Sequence, residues 1–241
     1  MGPSGTGKTV LSKIYADFLV GGKNLIRLDM SEYADATSVN KILGSAPGYL
    51  GYDDNKNILE EIKNKPYSVI LLDEIEKAHP QVINLFYQIL DDGLIKDSKG
   101  NMIKFNNNII IMTSNIGYEK NNVGFNNKTE STILTELKNE LSLSFVNRID
   151  NIILFNHLTE ENIRVIIKNK INNLKKKYSN VTIKISKNVI NEIIELSNYY
   201  DFGARKVDKI IKIKIENVII DSILDNKNTI FITSLKKKQG I

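Results

Sequence analysis

Gly2-Pro3-Ser4-Gly5-Thr6-Gly7-Lys8-Thr9 stands at the front of this 241-residue chain and reads as a complete phosphate-binding loop. The pattern Gly-x4-Gly-Lys-Thr gives a loop of little side-chain bulk whose backbone N–H groups can turn inward on phosphate oxygens. The helix that follows adds its positive N-terminal end, Lys8 can reach the outer phosphates, and the Thr9 hydroxyl can ligate Mg²⁺. The motif normally follows a buried strand, and here only Met1 precedes it.

A second signal lies some distance downstream. Val69-Ile70-Leu71-Leu72 runs straight into Asp73-Glu74. A strand buried on both faces delivers two carboxylates at its C-terminal end, where ligands of open α/β sheets bind. Asp73 suits the Mg²⁺ shell, and Glu74 suits the orientation and deprotonation of an attacking water.

Around these motifs, helix and strand patterns alternate. Lys8–Leu19 carries Val10, Leu11, Ile14, Phe18 and Leu19 on one helical face and stops at Gly21-Gly22. Strands are expected at Asn24–Leu28, Tyr67–Leu72, Asn108–Thr113 and Ile152–Phe155, with a helix from Pro80 to Gly93 and another over 131–145. Such alternation predicts an α/β fold with a parallel sheet sandwiched by helices over residues 1–155. From residue 156 to 241 the pattern becomes mainly helical. Thr159 caps a helix to Lys177, Ser186 caps another, a third runs from Ala204 to Leu224, and short strands fall at Val181–Ile185 and Thr229–Thr233.

Composition narrows the class. The absence of cysteine excludes disulfides and thiolate metal sites, and no apolar run approaches the ~20 residues of a membrane span. Net charge is +5, split as −3 over 1–155 and +8 over the rest. Lysine outnumbers arginine 29 to 4, and Asn, Ile and Lys fill 97 positions, the drift of an AT-rich genome rather than a nucleic-acid surface. No nucleic-acid or membrane partner is expected. The same drift points to a plastid or apicoplast-like stroma, with a bacterial cytoplasm as the alternative. His79 and His157 have no partners at metal-ligand spacing.

Several stretches together carry a resemblance. They are Ile26-Arg27-Leu28-Asp29-Met30-Ser31-Glu32-Tyr33, Gly48-Tyr49-Leu50-Gly51-Tyr52, Ser68 through Pro80, Leu90-Asp91-Asp92-Gly93, Met112-Thr113-Ser114-Asn115, Phe145-Val146-Asn147-Arg148-Ile149-Asp150 and Gly203-Ala204-Arg205. In this order they resemble the second ATPase module of Clp-family AAA+ protein unfoldases. The resemblance implies ATP and Mg²⁺ as cofactors, a homo-hexamer of a longer parent, and unfolded proteins as substrates. It implies that Asn115 is a first nucleotide sensor, Arg148 an arginine finger toward a neighbouring subunit, and Arg205 a second sensor. Gly48, Tyr49, Leu50 and Gly51 would form the pore loop that grips substrate, and Lys96–Asn101 a second one. Val123-Gly124-Phe125 matches the tripeptide by which ClpC-like members dock on a ClpP-like peptidase, which disaggregases of the ClpB type lack. Arg27 reads as a structural arginine.

Departures from the family pattern accompany the match. Ser142-Leu143-Ser144 stands where Arg-Pro-Glu is usual, Leu94 replaces an arginine, Tyr199–Phe202 is about two residues short, and the Val123 loop is also short. The strand expected before Gly2 is absent, so residues 1–241 alone are expected to bind ATP weakly or not at all. The rival readings are a ClpB-type disaggregase module and a non-hydrolysing assembly module.

Overall fold

The innermost strand of the first unit is Val69–Asp73, in which all five residues are buried. A computed structural model describes residues 1–44, 58–118 and 129–235. The chain divides into two units, Met1–Gly2 with Gly7–Phe155, and Pro3–Thr6 with Asn156–Ile241.

The first unit contains, in chain order, α1 (Lys8–Val20), β1 (Leu25–Asp29), α2 (Val39–Leu43), α3 (Ile58–Asn64), β2 (Val69–Asp73), α4 (Pro80–Asp92), β3 (Leu94–Lys96), β4 (Met102–Lys104), β5 (Ile109–Met112), α5 (Glu130–Leu141) and α6 (Leu143–Val146). β1, β2 and β5 form a parallel sheet in that order, with Asp29 opposite Asp73 and Leu72 opposite Met112. The core joins Ile26 and Leu28 of β1, Ile70 and Leu72 of β2, Val82, Phe86 and Ile89 of α4, and Phe145 of α6. Pro80 opens α4, where its missing N–H costs nothing, and Gly93 closes it at φ 67°.

Four expectations for this unit need correction. The apolar stripe of α1 is not buried: Val10, Leu11, Ile14, Phe18 and Leu19 are exposed, Phe18 at 84%, while Ser12 and Ala16 are the buried positions. The reason is helical phase. Lys8 is aimed at Asn115, past the end of β5, and Thr9 at Asp73, the last residue of β2, so the positions one and two turns on from Lys8 meet the sheet.

Ile152–Phe155 is not a strand. Among the described residues its backbone hydrogen bonds are Met1 N–H to Ile153 O and Phe155 N–H to Met1 O, both at 2.8 Å, too few for a ladder. β5 is shorter than expected and only half-buried, having β2 on one side and no second strand partner among the described residues. The helix over 131–145 breaks at Ser142, which adopts φ 68° and accepts a bond from Phe145 N–H to start α6.

Lys96–Asn101 comprises the last residue of β3 and the turn of an antiparallel β3–β4 hairpin. Buried Asp97 closes it by accepting from Lys99 N–H, Asn101 N–H and Asn101 Nδ2.

The second unit contains α7 (Glu160–Lys177), β6 (Thr182–Ile185), α8 (Lys187–Ser197), α9 (Tyr199–Phe202), α10 (Arg205–Ile211), a π-helical segment (Lys212–Glu216), α11 (Asn217–Leu224) and β7 (Thr229–Ile232). Thr159 and Asn162 form a reciprocal capping box at the start of α7. Ser186 precedes α8 but does not cap it; its hydroxyl donates to Thr233 O instead. Ile163, Ile167 and Ile171 of α7 lie one turn apart and pack with Val189 and Ile193 of α8, Ile211 of α10, and the parallel β6–β7 pair.

Candidate functional site

The C-terminal ends of β2 and β5 and the N-terminus of α1 bring the site of the first unit together. Gly7, at φ 99°, lets the chain enter α1 without a side-chain cap, and the first turn holds no acidic residue. A Cβ added at Gly7 would meet nothing within 4 Å. An uncapped N-terminus of a 13-residue helix, with open space before it, fits an anion.

Lys8 Nζ donates to Gly2 O at 2.6 Å and to Asn115 Oδ1 at 2.7 Å. Asn115 is held in turn by its backbone N–H, which donates to Glu76 Oε1 at 2.9 Å. The structure therefore places Lys8 and Asn115 side by side, 107 residues apart in sequence.

Thr9 Oγ1 donates to Asp73 Oδ1 at 2.8 Å, and Thr113 Oγ1 donates to the same oxygen at 2.5 Å. Arg27 binds the other oxygen, Oδ2, through Nη2 at 2.6 Å and Nε at 3.2 Å. Asp73 is only 5% exposed. Burial pushes its carboxyl upward, but the hydrogen bonds from Thr113, Arg27 and Thr9 and the charge of Arg27 outweigh this and hold it below the ordinary value. A hydroxyl and an ionised carboxylate in contact form an oxygen donor set that suits a hard divalent cation such as Mg²⁺.

Glu74 follows with φ 59° and ψ 57°, in the left-handed region. Its N–H donates to Thr113 Oγ1 at 3.0 Å. Left-handed backbone at a non-glycine residue costs about 1–2 kcal/mol, and here it turns the Glu74 side chain out of the direction β2 would give it. Thr113 thus ties together both carboxylate residues at the end of β2.

Arg148 lies elsewhere in the first unit, with Nε 2.6 Å from Asp91 Oδ1 and its guanidinium 5.8 Å from the centre of the Tyr87 ring. Both charged side chains of that pair are exposed. In the second unit, Ala204 N–H donates to Gly5 O at 3.0 Å, and Thr6 Oγ1 donates to Pro3 O at 2.9 Å. Gly203 has φ 55°, and a Cβ there would lie 2.5 Å from Ser4 O, so a glycine is required beside Arg205, the first residue of α10. His79 Nδ1 accepts from Gln81 N–H at the start of α4, and His157 stacks on Tyr200. Tyr49 with Gly48, Leu50 and Gly51, and Val123-Gly124-Phe125, lie outside the described residues.

Sequence reasoning did not single out Thr113 or Glu76 for the site and gave Arg27 no partner there. Strand register contained the missing signal. With Leu72 opposite Met112 and Asp29 opposite Asp73, the residues flanking Asp73 on neighbouring strands are Thr113 and, one pleat back on the same face, Arg27.

Comparison with known proteins identifies the family. Residues 1–152 match the AAA domain (Cdc48 subfamily), and residues 158–232 match the C-terminal, D2-small domain of ClpB protein. The chaperone protein ClpB of Malacoplasma penetrans is 41% identical over 232 residues, covering 94% of this chain and 32% of its own length. The ATP-dependent Clp protease ATP-binding subunit ClpC of Staphylococcus aureus (strain USA300) is 39% identical over 240 residues, covering 93% of this chain and 29% of its own. A closed-state Hsp104 structure with ATPγS and FITC casein superposes with a TM-score of 0.81 at 33% identity, covering 95% of this chain and 41% of that one. The chain thus spans about a third of the length of the curated relatives it matches. With a nucleotide-type loop, a buried acidic strand end and both domain matches in sequence order, the chain belongs to the AAA family, as a Clp-type module with a ClpB-like small domain.

Proposed function

We propose that this chain is the ATP-hydrolysing second module of a Clp-type protein unfoldase. The observation that carries the reading is the convergence of Lys8 on Asn115 and of Thr9 on Asp73, which joins the first turn of α1 to the C-terminal ends of β2 and β5. The segment Gly2 to Lys8 would cradle the phosphates, and Thr9 with Asp73 would hold Mg²⁺, which supplies charge neutralisation for phosphoryl transfer. Glu74, turned off the strand axis, acts as the base that orients and deprotonates water. Asn115 positions that water, Arg148 completes the site of a neighbouring subunit in a hexamer, and Arg205 senses nucleotide from the small domain. Tyr49, flanked by Gly48 and Gly51, converts turnover into a pull on unfolded polypeptide.

Two readings of the downstream partner differ by one feature. The Val123-Gly124-Phe125 tripeptide favours docking on a ClpP-like peptidase, in keeping with the ClpC relative. The small-domain match and the ClpB relative favour a disaggregase that works without a peptidase. The bacterial origin of these relatives favours a bacterial cytoplasm over a plastid stroma.

The test is ATP-dependent loss of fluorescence from a stably folded reporter carrying an unstructured tail, using the intact protein. The reading expects unfolding with ATP, none with a non-hydrolysable analogue, and none in Tyr49→Ala although that variant still consumes ATP. Unfolding by Tyr49→Ala at the wild-type rate would overturn the threading role. Peptidase stimulation lost on deleting 123–125 supports the ClpC-like reading; stimulation retained or never present supports the disaggregase.

A further inference from the structure

We propose that Arg27 is a positioning residue for the metal-holding carboxylate: its guanidinium fixes Asp73 so that Oδ1 stays presented to Thr9. This rests on the nucleotide–magnesium reading above and adds a residue to it. Asp73 is almost wholly buried, and a buried carboxylate needs partners for both oxygens. Oδ1 is served by two neutral hydroxyls, Thr9 and Thr113. Arg27 donates twice to Oδ2 and is the cation paired with Asp73 among the described residues.

The sheet explains why an arginine stands there. Asp29 and Asp73 are opposite each other on parallel β1 and β2. Arg27, two residues before Asp29 on β1, reaches the same face. Its Nη2 lies 3.6 Å from Asp29 Oδ2 as well as 2.6 Å from Asp73 Oδ2, so one guanidinium separates two neighbouring carboxylates. Nε and Nη2 of one rigid planar group converge on Oδ2 and hold that oxygen at a fixed point, which a lysine ammonium, a point donor on a flexible stem, does less firmly. Groups that orient a metal ligand in this way typically contribute 10–100-fold to metal affinity.

Mg²⁺ titration of the intact protein tests the proposal, read by fluorescence of a labelled ATP analogue, with the analogue's affinity measured in parallel in EDTA. For Arg27→Gln, half-saturating Mg²⁺ should rise by about 10–100-fold. For Arg27→Lys it should rise by a smaller factor, and affinity in EDTA should match wild type for both. Arg27→Lys, which keeps the charge on β1, decides the matter if Arg27→Gln does not fold. Half-saturation within twofold of wild type in the variants, or an equal loss of affinity with and without Mg²⁺, would overturn the positioning role. A wild-type protein whose nucleotide binding ignores Mg²⁺ would overturn the underlying reading, and this proposal with it.

Discussion

Replacing Glu74 with asparagine should make the protein more stable while abolishing turnover. Glu74 holds φ 59° and ψ 57°, a region where asparagine occurs several-fold more often than other non-glycine residues, equivalent to roughly 0.6–1 kcal/mol. Glu74→Gln is the control, because it keeps the size and the backbone strain but removes the charge. The difference between the two variants therefore isolates the backbone term, and any relief of repulsion with Asp73 or Glu76 is common to both. Chemical denaturation of the nucleotide-free proteins should place the asparagine variant about 0.6–1 kcal/mol above the glutamine variant. In thermal unfolding of a domain this size that is about 1–4 °C. Both variants should lose ATP turnover by about 10²–10⁴-fold, the usual contribution of a general base. A glutamine variant as stable as the asparagine one would refute the idea that strain is held at the base.

Three further outcomes follow from the same geometry. Thr113→Val removes the donor to Asp73 Oδ1 and the acceptor for Glu74 N–H; it should cost about 2–4 kcal/mol by denaturation, largely restored in Thr113→Ser. Asp97 is pushed up by burial but held below its ordinary value by the stronger effect of bonds from Asn101 and Lys99. Its folded value thus lies below the unfolded one, so its stabilisation is complete above about pH 4 and fades as pH falls through the folded value. Asp97→Asn should flatten that acid limb in urea titrations at successive pH values. Asp91→Ala breaks an exposed pair with Arg148 and should leave the denaturation midpoint nearly unchanged. Arg148→Ala should be equally mild in stability yet reduce turnover of the assembled protein by about 10³-fold or more.

Much of the fold was legible because its signals are local. The apolar run before Asp73, Pro80 and Gly93 around α4, and Thr159 before α7 each specify a boundary through sterics or capping within a few residues. The site residues on these signals, Lys8, Thr9, Asp73 and Asn115, are the ones the structure brings into contact. What sequence concealed depends on neighbours. The apolar face of α1 looked like a core stripe, but the aim of Lys8 and Thr9 fixes the helix with Ser12 and Ala16 inward. Ile152–Phe155 has strand-like residues and no strand beside it among the described residues. Ser142 breaks a helix that periodicity alone would continue, and Arg27 reveals its role only when β1 is set in register with β2.

The most direct test of the central claim compares ATP binding and ATP turnover in the intact wild-type protein, Lys8→Ala and Glu74→Gln. The account predicts turnover in the wild type, neither binding nor turnover in Lys8→Ala, and tight binding without turnover in Glu74→Gln. ATP consumption by Glu74→Gln at the wild-type rate would contradict it.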